Sequence, residues 1–124
     1  MSFSIAKRFA FSASHVLTKV PEDHKCRRLH GHNYEAEVIC AADELDDRGM
    51  VVDYFDLDPA KRLIDDTLDH RHLNDVVDGE PTAERIAWWL YESLKGHLPA
   101  ETAGQLVAVR IYETPTTWAE YRPV

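Results

Sequence analysis

Residues 26–41 of this chain read Cys26-Arg27-Arg28-Leu29-His30-Gly31-His32-Asn33-Tyr34-Glu35-Ala36-Glu37-Val38-Ile39-Cys40-Ala41. From position 32 onward the even positions are mostly apolar, whereas Glu35 and Glu37 occupy odd positions. This alternation has the two-residue period of a β-strand with one buried face. We therefore predict a strand over residues 32–41 that begins with His32 on its apolar face.

The residues on either side of this stretch predict further strands. From position 3 to 15 the odd positions are apolar apart from one lysine, which predicts a first strand ending with His15 on its apolar face. Residues 18–28 contain a proline and many charges and are typical of a loop. Residues 43–49 are polar, so residues 50–55 are predicted to return as the second strand of a hairpin.

The second half of the chain contains two helical patterns and two more strands. Residues 58–59 are Asp-Pro, which predicts a helix start because the carboxylate can cap free N–H groups and proline suits the first turn. Thr82 is the predicted N-cap of a second helix, which ends within residues 96–99. Strands are predicted over residues 106–113 and 118–121. The order β-β-β-α-α-β-β favours an α+β fold with an antiparallel sheet.

Composition argues against several classes of protein. The 124 residues have the size of one domain, 1–124, and 44% of them are hydrophobic. The net charge of -8 argues against binding nucleic acid or an anionic membrane through the overall field. No apolar run approaches the roughly 18 residues of a membrane span. The start has its basic residues after a very short apolar stretch, the wrong order for a secretory signal, which predicts a cytoplasmic protein with free thiols.

His30 and His32 are the basis of a predicted metal centre. Residues two apart in a strand point the same way, so both imidazoles can reach one point. Gly31 between them removes a side chain where a metal or ligand must come close. His15 is the best third ligand, because the loop that follows it is long enough to fold back. Three imidazoles are typical of a catalytic zinc site with an open position; the alternative is a pair of ordinary histidines.

The two cysteines differ in their surroundings. Cys26 lies among Lys25, Arg27 and Arg28, and nearby positive charge lowers the pKa of a thiol and favours the thiolate that a base requires. Cys40 lies at the far end of its predicted strand and is predicted to be a core residue. The alternative for Cys26 is an inert loop thiol.

Two acidic positions complete the candidate site. Asp69 precedes His70, and such a pair can form the carboxylate-oriented imidazole used in proton transfer; the alternative is that both residues solvate a helix end. Glu113 continues the apolar face of its strand and needs a partner if buried. A heterocycle with a guanidine-like edge would suit it, and the alternative is a strand end that has reached water.

Taken together, these motifs resemble the 6-pyruvoyl-tetrahydropterin synthase superfamily over essentially the whole chain. The segments that carry the resemblance are Phe11-Ser12-Ala13-Ser14-His15, Pro21-Glu22-Asp23-His24-Lys25-Cys26, Leu29-His30-Gly31-His32-Asn33-Tyr34, Leu68-Asp69-His70-Arg71 and Glu113-Thr114. The Cys26-x-x-x-His30-Gly31-His32 spacing is closer to the bacterial branch, 6-carboxy-5,6,7,8-tetrahydropterin synthase of the queuosine (7-deazapurine) pathway.

The resemblance implies a fold and an assembly. It implies a tunnelling fold, in which a four-stranded antiparallel sheet carries two helices on one face. It also implies a homo-oligomer around a barrel, often a hexamer. His15, His30 and His32 would bind Zn²⁺.

The resemblance also implies roles for the other candidate residues. Cys26 would be the proton acceptor, and Asp69 with His70 would form a proton relay on the other side of the substrate. Glu113 would anchor the pterin ring and is also a candidate for the relay. Thr82 matches a helix-start position that contacts the pterin across a subunit interface.

The implied substrate is 7,8-dihydroneopterin triphosphate. Loss of a C–H proton to Cys26 and departure of triphosphate would be followed by a C–C cleavage that releases acetaldehyde. Lys25, Arg27 and Arg28 are candidates for receiving the triphosphate, unless they are merely solvated loop charges. The alternatives are the pyruvoyl-forming activity and a non-catalytic metal-binding relative.

Overall fold

The alternating pattern near the start of the chain builds a long strand pair. In this computed structural model, which describes residues 3–124, β1 (Phe3–His15) and β2 (His30–Ala42) run antiparallel over their whole length. Their register places His15 opposite His30. Both predicted strands are confirmed, and β2 begins two residues earlier than predicted. The predicted lack of a secretory signal partly concerns residues 1–2, which lie outside the described part of the chain.

The sheet has five strands and is mixed. Beyond β1 and β2 it contains β3 (Arg71–His72), β4 (Leu106–Thr114) and β5 (Thr117–Tyr121), in the order β3-β1-β2-β4-β5. The predicted α+β class is confirmed, but the prediction of four antiparallel strands was wrong, because β3 runs parallel to β1. A strand of two residues is too short to show a period in the sequence.

Residues 50–55 form turns instead of the predicted hairpin strand. Asp46 Oδ1 accepts hydrogen bonds from two backbone N–H groups in the turn that precedes them. Asp53 Oδ1 accepts one from Phe55 N at 2.9 Å and begins a 3₁₀ turn over Tyr54–Leu57. These local side-chain bonds give the backbone an alternative to a strand ladder. The strand prediction for this segment was therefore wrong.

Helix α1 (Pro59–Thr67) begins with proline, as predicted. Asp58 is its N-cap residue, but the side chain makes no capping hydrogen bond. Instead Asp58 Oδ1 accepts from Lys7 Nζ at 2.7 Å, which links the helix start to β1. The prediction that this carboxylate caps the helix was therefore wrong, because an ion pair with a neighbouring element occupies it.

Two further helices follow β3. The predicted N-cap of α2 (Ala83–Lys95) is confirmed, because Thr82 Oγ1 accepts from Arg85 N at 3.3 Å. A third, unpredicted helix α3 (Ala100–Gln105) begins immediately after Pro99. Within residues 3–124, none of the helices combines the length and apolarity needed to cross a bilayer.

A hydrophobic core forms where α1 and α2 cover one face of the sheet. The odd positions 9–13 of β1 and the even positions 34–42 of β2 point into this core, and Phe11 stacks on Tyr34 with ring centroids 4.9 Å apart. Cys40 lies in the same core, as predicted, and its burial raises the pKa of its thiol to about 11. His15 is 1% exposed at the end of the apolar face of β1, so the core positions one side of the candidate site.

Candidate metal centre and active site

The structure brings His15, His30 and His32 together. Each imidazole contributes one ring nitrogen, and these three nitrogens all lie within 4.8 Å of one another. The antiparallel register explains this convergence, because it sets His15 opposite His30, and His32 follows two residues later on the same face. The fold-back of the chain after β1 therefore delivers the third imidazole that sequence reasoning assigned to the cluster.

Backbone carbonyls orient two of the three rings. His15 Nδ1 lies 2.9 Å from the Pro81 carbonyl oxygen, and His30 Nδ1 lies 2.7 Å from the Arg28 carbonyl oxygen. A carbonyl only accepts hydrogen bonds, so in each neutral ring the proton belongs on Nδ1 and the lone pair on Nε2. The two Nε2 atoms nevertheless face each other at 2.9 Å. Two lone pairs at this distance repel, and a cation between the rings would remove the repulsion.

His32 supplies an unpartnered buried nitrogen to the same point. Its Nε2 has no hydrogen-bond partner among residues 3–124, although it lies 3.2 Å from Glu113 Oε1 in an ion-pair contact without hydrogen-bond geometry. Burial lowers the pKa of His32, the charge of Glu113 opposes this, and His15 and His30 lower the pKa further. The ring therefore stays neutral over more of the pH range than a free histidine, which is the form that ligates metals.

The three imidazoles fit a metal ion. Three nitrogens at about 2.0–2.1 Å from a tetrahedral metal would be about 3.3 Å apart, compared with 2.9 Å between the Nε2 atoms of His15 and His30 and at most 4.8 Å for the pairs that include His32. Each Nδ1–H bond to a carbonyl is the outer interaction that commonly fixes the tautomer of a metal-bound histidine. Among residues 3–124, the cluster of candidate metal ligands consists of these three histidines and includes no carboxylate or thiolate.

Cys26 lies in the loop that returns from β1 to β2. It is half-buried in a 3₁₀ turn over Lys25–Arg27, and its carbonyl accepts a hydrogen bond from Leu17 N at 2.9 Å. Leu17 follows His15 by two residues, so the turn is held beside the end of β1. The loop that carries Cys26 thus lies next to the three histidines, but the thiol is not one of the clustered candidate ligands.

Arg27 has a structural partner set. Its Nη1 donates to the carbonyl oxygens of Thr18 at 2.6 Å and Val20 at 2.9 Å, and so closes the loop on itself. Of the three basic residues predicted to receive a triphosphate, this one is therefore occupied. Lys25 and Arg28 are exposed.

Asp69 and His70 form the predicted carboxylate–imidazole pair at the outer edge of β1. His70 Nδ1 lies 2.9 Å from Asp69 Oδ2, and the imidazole is 83% exposed. Ser12 anchors both residues, because its N–H donates to Asp69 Oδ1 at 2.9 Å and its carbonyl accepts from His70 N at 2.6 Å. The hydrogen bond from Ser12 and then that from His70 lower the pKa of Asp69.

The backbone of His70 is held in an unusual conformation. Its φ of 60° lies in the left-handed region, which a non-glycine residue adopts at a cost of the order of 1 kcal/mol. Along β1, Ser12 is three residues before His15, about 10 Å at the usual strand rise. The pair is therefore not one of the clustered ligands, but His70 lines the same solvent-accessible cavity of about 610 Å³ as His32.

Glu113 contacts His32, and Thr82 follows Pro81, whose carbonyl contacts His15. Glu113 is near the end of β4, its side chain is 30% exposed, and it borders a cavity of about 320 Å³ beside the start of α2. Its partner is His32, so the carboxylate is neither unpaired nor simply in water. Thr82 directly precedes α2, where its hydroxyl caps the helix.

Sequence reasoning missed several residues that shape the site. The Tyr34 hydroxyl lies 3.4 Å from His15 Nδ1, and its position two residues after His32 would have placed it on the same strand face. Asn74 accepts from Val16 N and donates to Val16 O, both at 2.9 Å. Glu80 accepts from the loop residue Thr18. These long-range contacts leave no local pattern in the sequence.

The fold and the site define an α+β protein in which three histidines are positioned to hold a metal ion. The chain belongs to the 6-pyruvoyl tetrahydropterin synthase family, whose model matches residues 4–124. The resemblance inferred from the motifs is thereby confirmed.

Relatives cover almost the whole chain. A Synechocystis protein named 6-carboxy-5,6,7,8-tetrahydropterin synthase is 40% identical, over 94% of this chain and 91% of its own length. A Bacillus subtilis protein of the same name is 35% identical, over 98% of this chain and 86% of its own. The structure of Caenorhabditis elegans 6-pyruvoyl tetrahydropterin synthase superposes with a TM-score of 0.84 at 29% identity, covering 98% of this chain and 96% of that one.

Proposed function

We propose that this chain is a zinc-dependent lyase of the 6-carboxy-5,6,7,8-tetrahydropterin synthase type. It would convert 7,8-dihydroneopterin triphosphate and one water into 6-carboxytetrahydropterin, acetaldehyde and triphosphate, for queuosine or another 7-deazapurine. The observation that carries the proposal is the convergence of three imidazoles, two of them oriented by backbone carbonyls, beside a cysteine-bearing loop. The names of its relatives supply the reaction.

His15, His30 and His32 would hold the zinc ion through their Nε2 atoms. Zinc is favoured over harder cations because all three donors are imidazole nitrogens. When bound, the ion would stabilise negative charge that develops on oxygens of the substrate side chain. The Pro81 and Arg28 carbonyls keep the Nδ1 protons in place and so leave the Nε2 lone pairs free for the ion.

Cys26 is the proposed proton acceptor at the substrate side chain. This role is supported by its half-buried position in a loop whose backbone is hydrogen-bonded to Leu17, two residues after His15. Loss of a C–H proton to this thiolate begins the sequence in which triphosphate leaves and a C–C bond breaks. General bases of this kind contribute about 10²- to 10⁴-fold to rate.

Asp69 and His70 are the proposed relay that returns a proton. The Ser12 N–H bond keeps Asp69 ionised, and the carboxylate in turn orients the His70 imidazole with its other nitrogen toward solvent. Glu113 is the proposed anchor for the guanidine-like edge of the pterin, at the mouth of the cavity beside α2. Thr82 at the start of α2 is a proposed contact to the ring.

We extend the proposal to the assembly and the compartment. Residues 1–124 would form one domain, which the span of the family match supports. A homo-oligomeric barrel, a hexamer by family resemblance, would bring the solvent-facing His70 of one subunit into reach of a substrate held by another. A cytoplasmic location agrees with the two free thiols, Cys26 and Cys40. Neither nucleic acid nor a membrane is a proposed partner of the acidic chain.

The competing function is 6-pyruvoyl-tetrahydropterin formation, the activity named for the similar Caenorhabditis elegans structure. Zinc-loaded protein incubated with 7,8-dihydroneopterin triphosphate separates the two by mass analysis of the pterin product. We expect 6-carboxytetrahydropterin with an equal amount of acetaldehyde. A pyruvoyl pterin without acetaldehyde would contradict the proposal.

The Cys26→Ala variant provides the control for a catalytic role of the thiol. We expect it to bind zinc like the parent and to turn over at least about 100-fold more slowly. If it turned over at the parental rate with full zinc, Cys26 would not be the base. An unreactive parent that still binds zinc would instead favour a non-catalytic metal-binding protein.

A further inference from the structure

Glu80 holds the loop that carries Cys26. Its Oε1 accepts hydrogen bonds from Thr18 N at 2.8 Å and from Thr18 Oγ1 at 3.1 Å, and its Oε2 accepts from Thr18 N at 3.1 Å. Lys19 N also donates to Oε1. One half-buried carboxylate therefore accepts from three groups of a loop about 60 positions away in sequence.

Further hydrogen bonds connect the Glu80 contact to the turn that contains Cys26. Arg27 Nη1 donates to the Thr18 carbonyl, so the residue bound by Glu80 is also bound by the immediate neighbour of Cys26. The Cys26 carbonyl in turn accepts from Leu17 N, the residue before Thr18. The two ends of the loop are thus hydrogen-bonded to each other next to the residue that Glu80 binds.

Glu80 is also directly bonded in sequence to a residue that orients a metal ligand. The Pro81 carbonyl accepts from His15 Nδ1, and the next residue, Thr82, caps α2. Three consecutive residues therefore join the Cys26 loop, the metal centre and a core helix. Because α2 packs in the core, this segment is a rigid reference point for the loop.

We infer that Glu80 is a positioning residue, which sets the place of the Cys26 thiol relative to the three-histidine centre. The inference rests on the proposed function for its kinetic consequence, but the positioning itself does not. Hydrogen bonds from Thr18 lower the pKa of Glu80, so the group is a carboxylate at neutral pH and its bonds to the loop are charge-assisted. A neutral amide could not accept from all three donors in the same way.

The test compares Glu80→Gln and Glu80→Ala with Glu22→Gln. Glu22 is an exposed carboxylate of the same loop with no hydrogen bond found among residues 3–124, so it matches the change in charge. Zinc content and urea unfolding establish that each variant is folded and loaded. We expect Glu22→Gln to behave like the parent throughout.

For the two Glu80 variants we expect faster amide exchange over residues 17–28 and a change of at least about threefold in the rate at which iodoacetamide alkylates Cys26. Cys40 is buried and serves as an internal reference. With the pterin substrate, kcat should fall by about tenfold or more while KM changes little, because small misplacements of a catalytic group are costly.

Folded, zinc-loaded Glu80 variants with parental amide exchange and parental Cys26 alkylation would overturn the inference. So would a change equally present in Glu22→Gln. If the parent protein does not transform the pterin, the proposed function fails, yet the exchange and alkylation measurements still decide whether Glu80 positions the thiol.

Discussion

The arrangement of the histidine nitrogens links the chemistry of the site to its sequence. The Nδ1–H groups of His15 and His30 each donate a hydrogen bond to a backbone carbonyl. This leaves the two Nε2 lone pairs facing each other at 2.9 Å. His32 adds a buried Nε2 that has no hydrogen-bond partner within residues 3–124. Buried polar atoms normally have a partner, so this nitrogen beside two facing lone pairs is an argument for a bound cation.

Removal of one ligand tests this argument. We expect His32→Ala to weaken zinc binding by more than about 100-fold, because loss of an outer-sphere partner alone costs about 10- to 100-fold. Zinc retained after dialysis is measured by mass spectrometry of the metal. His97→Ala is the matched control, since His97 is exposed and its imidazole contacts the Ser93 carbonyl, away from the three-histidine cluster. A His32→Ala protein with parental zinc content would contradict the metal centre.

Asp69 gives a prediction about pH. The hydrogen bonds from Ser12 and His70 lower the pKa of Asp69 in the folded state. At pH values between the folded-state and unfolded-state pKa, the unfolded state therefore binds more protons. The ionised carboxylate therefore stabilises the fold above its ordinary pKa, and this contribution is lost as pH falls through the folded-state value. We expect the free energy of unfolding to differ between the parent and Asp69→Asn at about pH 7 and to converge below about pH 4.

Urea unfolding of the two proteins across this pH range measures the difference. Asp47→Asn, at an exposed position, is the control and should track the parent. A difference that grows on acidification would show that Asp69 does not stabilise the fold as a carboxylate.

At the scale of elements, the strand register and the start of α2 organise the site. The register alone brings His15 against His30, and a shift of one residue would turn His30 and His32 to the other face. Gly31 lies on the outer face, where an added Cβ would approach the Ala13 carbonyl oxygen at 3.2 Å. Its small size therefore serves the close approach of β1 and β2, and a role in making room for a metal or ligand stays a prediction.

The cap of α2 can be tested by mutation. Thr82→Ala removes the side-chain acceptor of Arg85 N and should lower the free energy of unfolding by about 1 kcal/mol. Thr82→Ser keeps a hydroxyl and should restore most of it. Urea denaturation measures both, and equal stability of the three proteins would show that the cap contributes nothing. A kinetic defect in the pterin reaction shared by Thr82→Ser would further indicate a role of the threonine beyond the cap.

At the scale of the whole molecule, the sheet has long edges. Within residues 3–124, β3 covers only Ala13 and Ser14 of the 13-residue β1, and β5 forms the other edge of the sheet. Open edges of this kind favour pairing with another chain. Closing them between copies is the physical basis for the proposed barrel.

Native mass spectrometry tests the assembly. We expect a homo-oligomer, with a hexamer as the main species, at micromolar protein concentration and moderate salt. Dilution series by light scattering provide the independent check. A monomer under both conditions would contradict the barrel, and it would leave the exposed His70 without a neighbouring substrate.

The sequence by itself determined the two central strands, the cap of α2 and the face on which three histidines meet. These features follow from local rules, because side chains alternate between the two faces of a strand every two residues and a hydroxyl just before a helix can cap it. The same local reading failed at residues 50–55, where Asp46 and Asp53 bond to nearby backbone and divert the chain into turns. It also failed at Asp58, because its carboxylate forms an ion pair with Lys7 and does not cap the helix.

Only the tertiary structure decided which groups support the site. The Pro81 carbonyl meets His15 across 66 positions of sequence, Glu80 meets Thr18 across 62, and Ser12 meets Asp69 across 57. β3 exists because the same contacts bring its two residues to the edge of β1. A hydrogen bond between distant residues depends on how whole elements pack, and the periodicity of a short segment carries no record of that packing.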